Sequence, residues 1–80
     1  MLEAIYRSDN GYIRTYRIYD KENHKFLGQI EHHYHCKKEY YIGWKFKDNH
    51  FIPDTYQTGK TKMFDTWAEA EKYVQEDFDI

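Results

Sequence analysis

Apolar and polar residues alternate along the first half of the chain with the period of two that is typical of β-strands. Four segments show this alternation, at residues 2–8, 12–20, 25–35 and 39–46. The first turn contains Asn10-Gly11, a pair that favours the positive φ angles of a tight hairpin. Because the other turns are also short, the pattern predicts an up-and-down antiparallel meander. Gly28, inside the third segment, indicates a bulge or the close approach of another group.

The end of the chain has the period of a helix instead. Thr66 and Glu69 match a capping box. An apolar stripe then recurs at spacings of three and four: Trp67, Ala70, Val74 and Phe78. The predicted fold is therefore α+β: an antiparallel four- to five-stranded meander sheet, packed by one C-terminal amphipathic helix. Residues 61–64 supply the short fifth strand.

The chain is predicted to form a single domain over residues 1–80, because 80 residues are too few for two stable cores. The sheet is expected at about 2–47 and the helix at about 66–77. Between them, residues 48–60 are predicted to form a long irregular loop, since Pro53 excludes a central strand. Loops of this length are often functional.

The alternation also assigns the two faces of the sheet. The residues predicted to face the helix are Leu2, Ala4, Tyr6, Tyr16, Ile18, Phe26, Ile30, Tyr34, Ile42, Trp44 and Phe46. The residues predicted to face outward are Ile5, Arg7, Ile13, Thr15, Arg17, Tyr19, Gln29, Glu31, His33, His35, Tyr41, Lys45 and Lys47. Four strands span about 19 Å and one helix is about 10–12 Å wide, so the helix alone cannot cover the inner face. The loop with Phe51, Ile52 and Tyr56 is expected to cover part of it, and nothing is then left to cover the outer face.

The amino-acid composition limits the cellular compartments in which the protein is expected and the chemistry that it can carry. Aromatic residues make up 20% of the chain, so rings fill the small core and also reach the surface. Cys36 is the single cysteine, which excludes an intramolecular disulfide and suits a reducing compartment. The sequence shows no secretory leader and no apolar run of 18 residues. We therefore expect a cytoplasmic protein with no membrane partner.

Charge is distributed unevenly. Residues 65–80 contain six acidic residues and one basic residue, although the whole chain has a net charge of only −2. A solvated helix face accounts for these acids, and the alternative is a mimic of nucleic-acid charge.

None of the candidate catalytic motifs in this sequence matches the pattern that its chemistry requires. Residues 57–61 end like a phosphate-binding loop, but Asp54 stands where that motif needs its first glycine. The acids lie in turns and on the helix exterior, away from any cleft. We expect a protein that is not an enzyme and has no cofactor. The run 32–36 offers His33 and His35 as weak metal candidates on one side of a strand, but structural zinc sites need a second ligand cluster.

These observations favour a protein-binding module, because Tyr and Arg mixed with apolar residues anchor protein partners. The candidate partner-binding residues are Arg17, Tyr19, His33, Tyr41, Lys45, Phe51 and Tyr56. A single-stranded nucleic-acid binder that stacks bases on the outer face is the alternative, which the negative net charge disfavours. A homodimeric structural domain is a further alternative.

Residues 64–74 (FDTWAEAEKYV) join a short strand to a capped acidic helix. In this ending, and in its compact Tyr- and Lys-rich composition, the chain resembles short accessory proteins encoded by phages and other mobile elements. That resemblance implies an inhibitor or modulator of a host or defence protein, acting in the host cytoplasm.

We predict that the purified protein carries no stoichiometric zinc and that a chelator leaves its melting temperature unchanged. Elemental analysis and thermal melts test this. About one metal ion per chain, lost in His33→Ala or His35→Ala, would contradict it.

Overall fold

The computed structural model describes residues 1–78 and contains six strands and two helices. The elements in chain order are β1 Leu2–Asp9, β2 Ile13–Asp20, β3 Lys25–His33, β4 Tyr40–Lys47, β5 His50–Ile52, α1 Thr55–Thr58, β6 Lys62–Phe64 and α2 Trp67–Gln75. The architecture is α+β, with one antiparallel sheet and two short helices rather than the single helix predicted.

The sheet runs in the order β1-β2-β3-β4-β5, and β6 also pairs with β4. β5 and β6 share one edge of β4: Phe51 is paired with Phe46, and Met63 with Ile42. The prediction of an irregular loop at 48–60 was therefore wrong, because this segment contains β5 and α1. Pro53 lies just after β5, where no ladder hydrogen bond is needed from its nitrogen.

The first hairpin forms at the predicted Asn10-Gly11 turn. Gly11 has a φ of 93°, a conformation that costs glycine little. The Asn10 side chain accepts hydrogen bonds from the backbone amides of Tyr12 (2.9 Å) and Ile13 (2.8 Å). The turn is therefore stabilised by its own residues.

Helix α2 begins at the predicted cap, where Thr66 Oγ1 accepts a hydrogen bond from the Glu69 amide (3.2 Å). The helix packs on β3 and β4. The core has five fully buried residues: Ile18, Leu27, Ile30, Ala70 and Val74. Trp67 extends this core by packing edge-on against Tyr16, with ring centroids 5.1 Å apart.

A bulge in β3 changes the predicted faces there. The register with β2 shifts between Ile18 and Tyr19, which leaves Leu27 as the extra residue, buried in the core. Phe26 pairs with Tyr19 on the face opposite α2. The prediction that Phe26 faces the helix was wrong, because the alternation is interrupted at Leu27.

The face assignment of β4 was also wrong, by one residue. A Cβ atom on Gly43 would contact the ring of Tyr73 in α2, at 3.4 Å, and Lys45 forms ion pairs next to α2. Gly43, Lys45 and, by the period of two, Tyr41 therefore face the helix. Ile42, Trp44 and Phe46 lie on the opposite face.

Gly28 lies in close contact with both β4 and α2. A Cβ atom there would overlap the Trp44 carbonyl oxygen and lie 3.0 Å from Val74 Cγ1. Both alternatives predicted for Gly28 are confirmed: a bulge lies next to it at Leu27, and Val74 of α2 approaches it closely.

We expect Gly28→Ala to lower the free energy of unfolding by about 2 kcal/mol or more, because the added methyl group must displace backbone. Gly43→Ala is the matched control: its methyl group lies 3.4 Å from two side-chain rings and 3.7 Å from the Ala70 carbonyl oxygen, with no overlap, so its loss is expected to be smaller. Urea denaturation measures both variants. Equal stability of the two would contradict the close approach at Gly28.

Candidate functional site

The face of the sheet opposite α2, which we call the open face, is covered within residues 1–78 only by the short helix α1, next to Trp44. It combines apolar and aromatic residues with a few polar ones. Its central members are Ile5, Arg17, Tyr19, Phe26, Gln29, Glu31, Ile42, Trp44, Phe46, Phe51 and Met63. Most are half-buried by their neighbours in the sheet, and Ile5, Phe51 and Met63 are exposed.

One end of the open face is an aromatic cluster. The ring centroid of Phe26 lies 5.4 Å from that of Tyr19, 5.0 Å from that of Phe46 and 6.0 Å from that of Phe51. The guanidinium carbon of Arg17 lies 5.6 Å from the centre of the Phe26 ring. Arg17 Nε is buried and has no hydrogen-bond partner within residues 1–78.

Beside this cluster lies a groove of about 720 Å³. Trp44, Phe51, Pro53 and Tyr56 supply its apolar walls. The Trp44 indole N–H donates a hydrogen bond to Thr55 Oγ1 (2.8 Å), which ties α1 to the sheet beside the groove. The volume is in the range of sites that take a side chain or a small molecule.

The short helix α1 is held at both ends. Asp54 accepts a hydrogen bond from the Gln57 amide (3.1 Å), and the Gly59 amide donates to the Thr55 carbonyl (2.8 Å). Gly59 has a φ of 71°, which suits glycine at a helix end. The Tyr56 side chain is fully exposed, so α1 presents a large ring to solvent at the groove.

The polar residues of the groove include two carboxylates, Glu31 and Asp54, and its lining within residues 1–78 contains no lysine or arginine. His33 Nε2 lies 3.0 Å from Glu31 Oε1, and the His33 ring stacks on Tyr40 with centroids 4.6 Å apart. Gln29 and His50 add neutral hydrogen-bonding groups. The groove is thus apolar in its walls and acidic at its rim.

The structure divides the predicted partner-binding residues between the two faces. Arg17, Tyr19 and Phe51 meet in the aromatic cluster, Tyr56 lies at the groove, and His33 lies beside Glu31. The placement of the other two on the outer face was wrong: Tyr41 stacks on His32 and contacts Trp67, and Lys45 is buried near α2.

Lys45 is 5% exposed and belongs to an ion-pair cluster. Its Nζ lies 2.8 Å from Glu76 Oε1, 2.7 Å from Asp77 Oδ2 and 4.5 Å from the centre of the Tyr73 ring. Burial by itself lowers the pKa of Lys45, but the hydrogen bonds to Asp77 and Glu76 outweigh burial and raise it. The hydrogen bond from Lys45 lowers the pKa of Asp77. Lys45 therefore fastens the end of α2 to β4.

The two weak metal candidates have different neighbours. His33 contacts Glu31 and Tyr40, whereas His35 packs edge-on against Tyr12, with ring centroids 5.0 Å apart. Within residues 1–78, no group of three or more His, Cys, Asp or Glu side chains is arranged to hold a metal ion. In the same residues, no helix is long and apolar enough to cross a membrane.

Sequence reasoning missed Trp44, Phe46 and Phe26 as residues of the open face. Their large apolar side chains were assigned to the core, since burial is the usual fate of such residues. The available signal was Gly43: a glycine in the centre of a strand indicates close approach of another element on its own face.

Comparison with protein-family models, with curated proteins and with solved structures found no match to this chain. The class of protein is therefore defined by its own geometry, as a small α+β domain with one aromatic, uncovered sheet face.

We expect the Lys45 cluster to make the free energy of unfolding depend on pH in the acidic range. A carboxylate whose pKa is lowered on folding contributes stability that is fully present above its unfolded value of about 3.9 and is lost as pH falls through the folded-state pKa. Lys45→Met removes the donor to Asp77, so this variant should lose less stability than the wild type between about pH 5 and pH 2.

Urea denaturation across that pH range measures the effect. Lys72→Met, at an exposed position of α2, removes the same charge and controls for net charge. An identical pH dependence in the wild type and Lys45→Met would contradict the assignment of this cluster.

Proposed function

We propose that this chain is a small non-enzymatic protein-binding module, and that its binding surface is the groove and the aromatic cluster of the open face. The observation that carries the proposal is the position of Tyr56. A fully exposed tyrosine lies on a helix that is held in place beside an apolar groove. A fully exposed ring next to an apolar groove is available to a partner, and tyrosine is one of the residue types enriched at interface hot spots.

The exposure of the neighbouring side chains supports the same surface. Phe51 is 38% exposed and Met63 is 58% exposed, on the same face as Trp44. Aromatic residues, methionine and arginine are the types that are enriched at protein interfaces. They lie here on strands whose backbone is already paired in the sheet, so little ordering cost is expected on binding.

The chemistry of the groove favours one kind of ligand: a protein segment with an apolar side chain next to a lysine or arginine. The apolar side chain would pack on Trp44, and the cation would approach Glu31 and Asp54. The same carboxylates would repel a phosphate backbone. Tyr41 and Lys45 face the helix, so they are lost as contacts both to the protein-binding module and to the alternative of a single-stranded nucleic-acid binder.

In this proposal the module acts in the cytoplasm as an inhibitor or modulator of its protein partner. From the resemblance to phage and mobile-element accessory proteins, we infer that this partner is a host or defence protein. The binding surface and the identity of the partner can be tested separately.

We expect Tyr56→Ala to weaken partner binding by about 2 kcal/mol, roughly 30-fold, as at other tyrosine hot spots. Its melting temperature should stay close to that of the wild type, because Tyr56 is fully exposed. Affinity capture from lysate with quantitative mass spectrometry identifies the partners, and calorimetry with the purified partner gives the affinity.

Tyr12→Ala is the matched control, since Tyr12 is also an exposed tyrosine, 61% exposed, in the turn after β1. Equal capture by Tyr56→Ala and Tyr12→Ala would contradict the groove as the binding surface. A bound fraction that consists of nucleic acid and is released by salt would instead support the nucleic-acid alternative.

A further inference from the structure

β1 forms one edge of the sheet, and no strand among residues 1–78 pairs with its outer side. All residues from Glu3 to Asp9 are exposed. Ile5 is 47% exposed and Tyr6 is 57% exposed, so apolar side chains lie next to unpaired backbone groups. An exposed edge strand of eight residues is a template for pairing with another strand.

The hydrogen bonds of β1 to β2 fix which backbone groups are free. The Lys21 amide donates to the Met1 carbonyl (2.9 Å), which continues the register that pairs Leu2 with Asp20. In an antiparallel ladder, hydrogen-bonded and non-hydrogen-bonded pairs alternate. Met1, Glu3 and Ile5 therefore direct their backbone groups toward β2. Leu2, Ala4 and Tyr6 direct theirs to the free edge.

Two oppositely charged side chains of β1 lie at equal distances from Ile5. Glu3 lies two residues before Ile5 and Arg7 two residues after it. Glu3 pairs with Tyr19, which places it on the open face, and Arg7 lines a shallow pocket with Ile5, Arg17 and Tyr19 of that face and with its neighbour Tyr6. Arg7 keeps this side although the register of β1 shifts between Tyr6 and Ser8.

We propose that this edge binds a second copy of the same chain, with the two β1 strands antiparallel and a two-fold axis at Ile5. In this register Glu3 of each copy lies opposite Arg7 of the other, and the two Ile5 side chains meet between these ion pairs. Ala4 lies opposite Tyr6 of the other copy, and these are the residues whose free backbone groups must face each other. Shifting the register by two residues in either direction keeps the hydrogen bonds but loses both ion pairs.

The pairing is independent of the proposed partner-binding groove, which lies at the other side of the sheet beside β4 and β5. Joining the two sheets through β1 would make one continuous sheet of two copies, with both open faces on the same side. The dimer would then present two grooves to one partner or to two, which increases the effective affinity for a multivalent target.

Charge reversal tests this register. Sedimentation velocity at increasing protein concentration should show a monomer–dimer equilibrium for the wild type. Glu3→Arg and Arg7→Glu should each raise the dimer dissociation constant about tenfold or more, because each places like charges opposite each other twice. The double variant Glu3→Arg/Arg7→Glu restores opposite charges and should dimerise like the wild type, as should an equimolar mixture of the two single variants.

Circular dichroism melts establish that each variant is folded, and the surface change Lys72→Glu controls for net charge. Ala4→Pro gives a second measurement: it removes an edge N–H that points away from β2 and should abolish the dimer without unfolding the chain. A wild type that stays monomeric at all concentrations overturns the proposal. So do single charge reversals that dimerise normally, or a double variant that fails to recover.

Discussion

The close approach of α2 to the middle of the sheet is the contact on which the rest of this structure depends. Gly28 and Gly43 leave the space into which Val74, Ala70 and Tyr73 of the helix settle. A side chain at Gly28 would overlap the backbone of β4, so the sheet itself requires glycine there. This contact decides which face of β4 is buried, and Lys45 secures it through its ion pairs with Glu76 and Asp77 beyond the helix.

The same contact explains why the open face is aromatic. Since β4 presents a glycine and a lysine to the helix, its large apolar residues, Trp44 and Phe46, are left on the other side. There they lie in a layer with Phe26 and Phe51 that α2 does not cover and that α1 covers only next to Trp44. A small domain gains little from such a layer unless something binds to it. The proposed role in protein binding follows from this arrangement, and α1 with Tyr56 shapes its border.

Several local features were predictable from short stretches of sequence because short-range forces decide them. The Asn10-Gly11 turn, the capping box at Thr66 and the apolar stripe of α2 depend only on neighbouring residues. Of the candidate site residues, Arg17, Tyr19 and His33 lie on the face to which the alternation assigned them. Phe51 and Tyr56 lie at the open face and its groove, whereas the loop that contains them was predicted to cover the face that packs on α2. Tyr41 and Lys45 lie on the face opposite to the predicted one, because a register error of one residue moves every side chain of a strand to the opposite face.

The sequence by itself determined the presence of four long antiparallel strands, the first turn and the capped helix, since periodicity and turn chemistry are local properties. Only the tertiary structure decided three things: the bulge at Leu27, the face of β4 that meets α2, and the folding of residues 50–58 into β5 and α1. Each depends on contacts between residues far apart in the chain, such as the hydrogen bond from Trp44 to Thr55 and the packing of Val74 over Gly28. The hydrophobicity of Trp44 predicted that it lies in the core. Because Gly43 faces α2, the adjacent Trp44 faces the opposite side and lies on the open face.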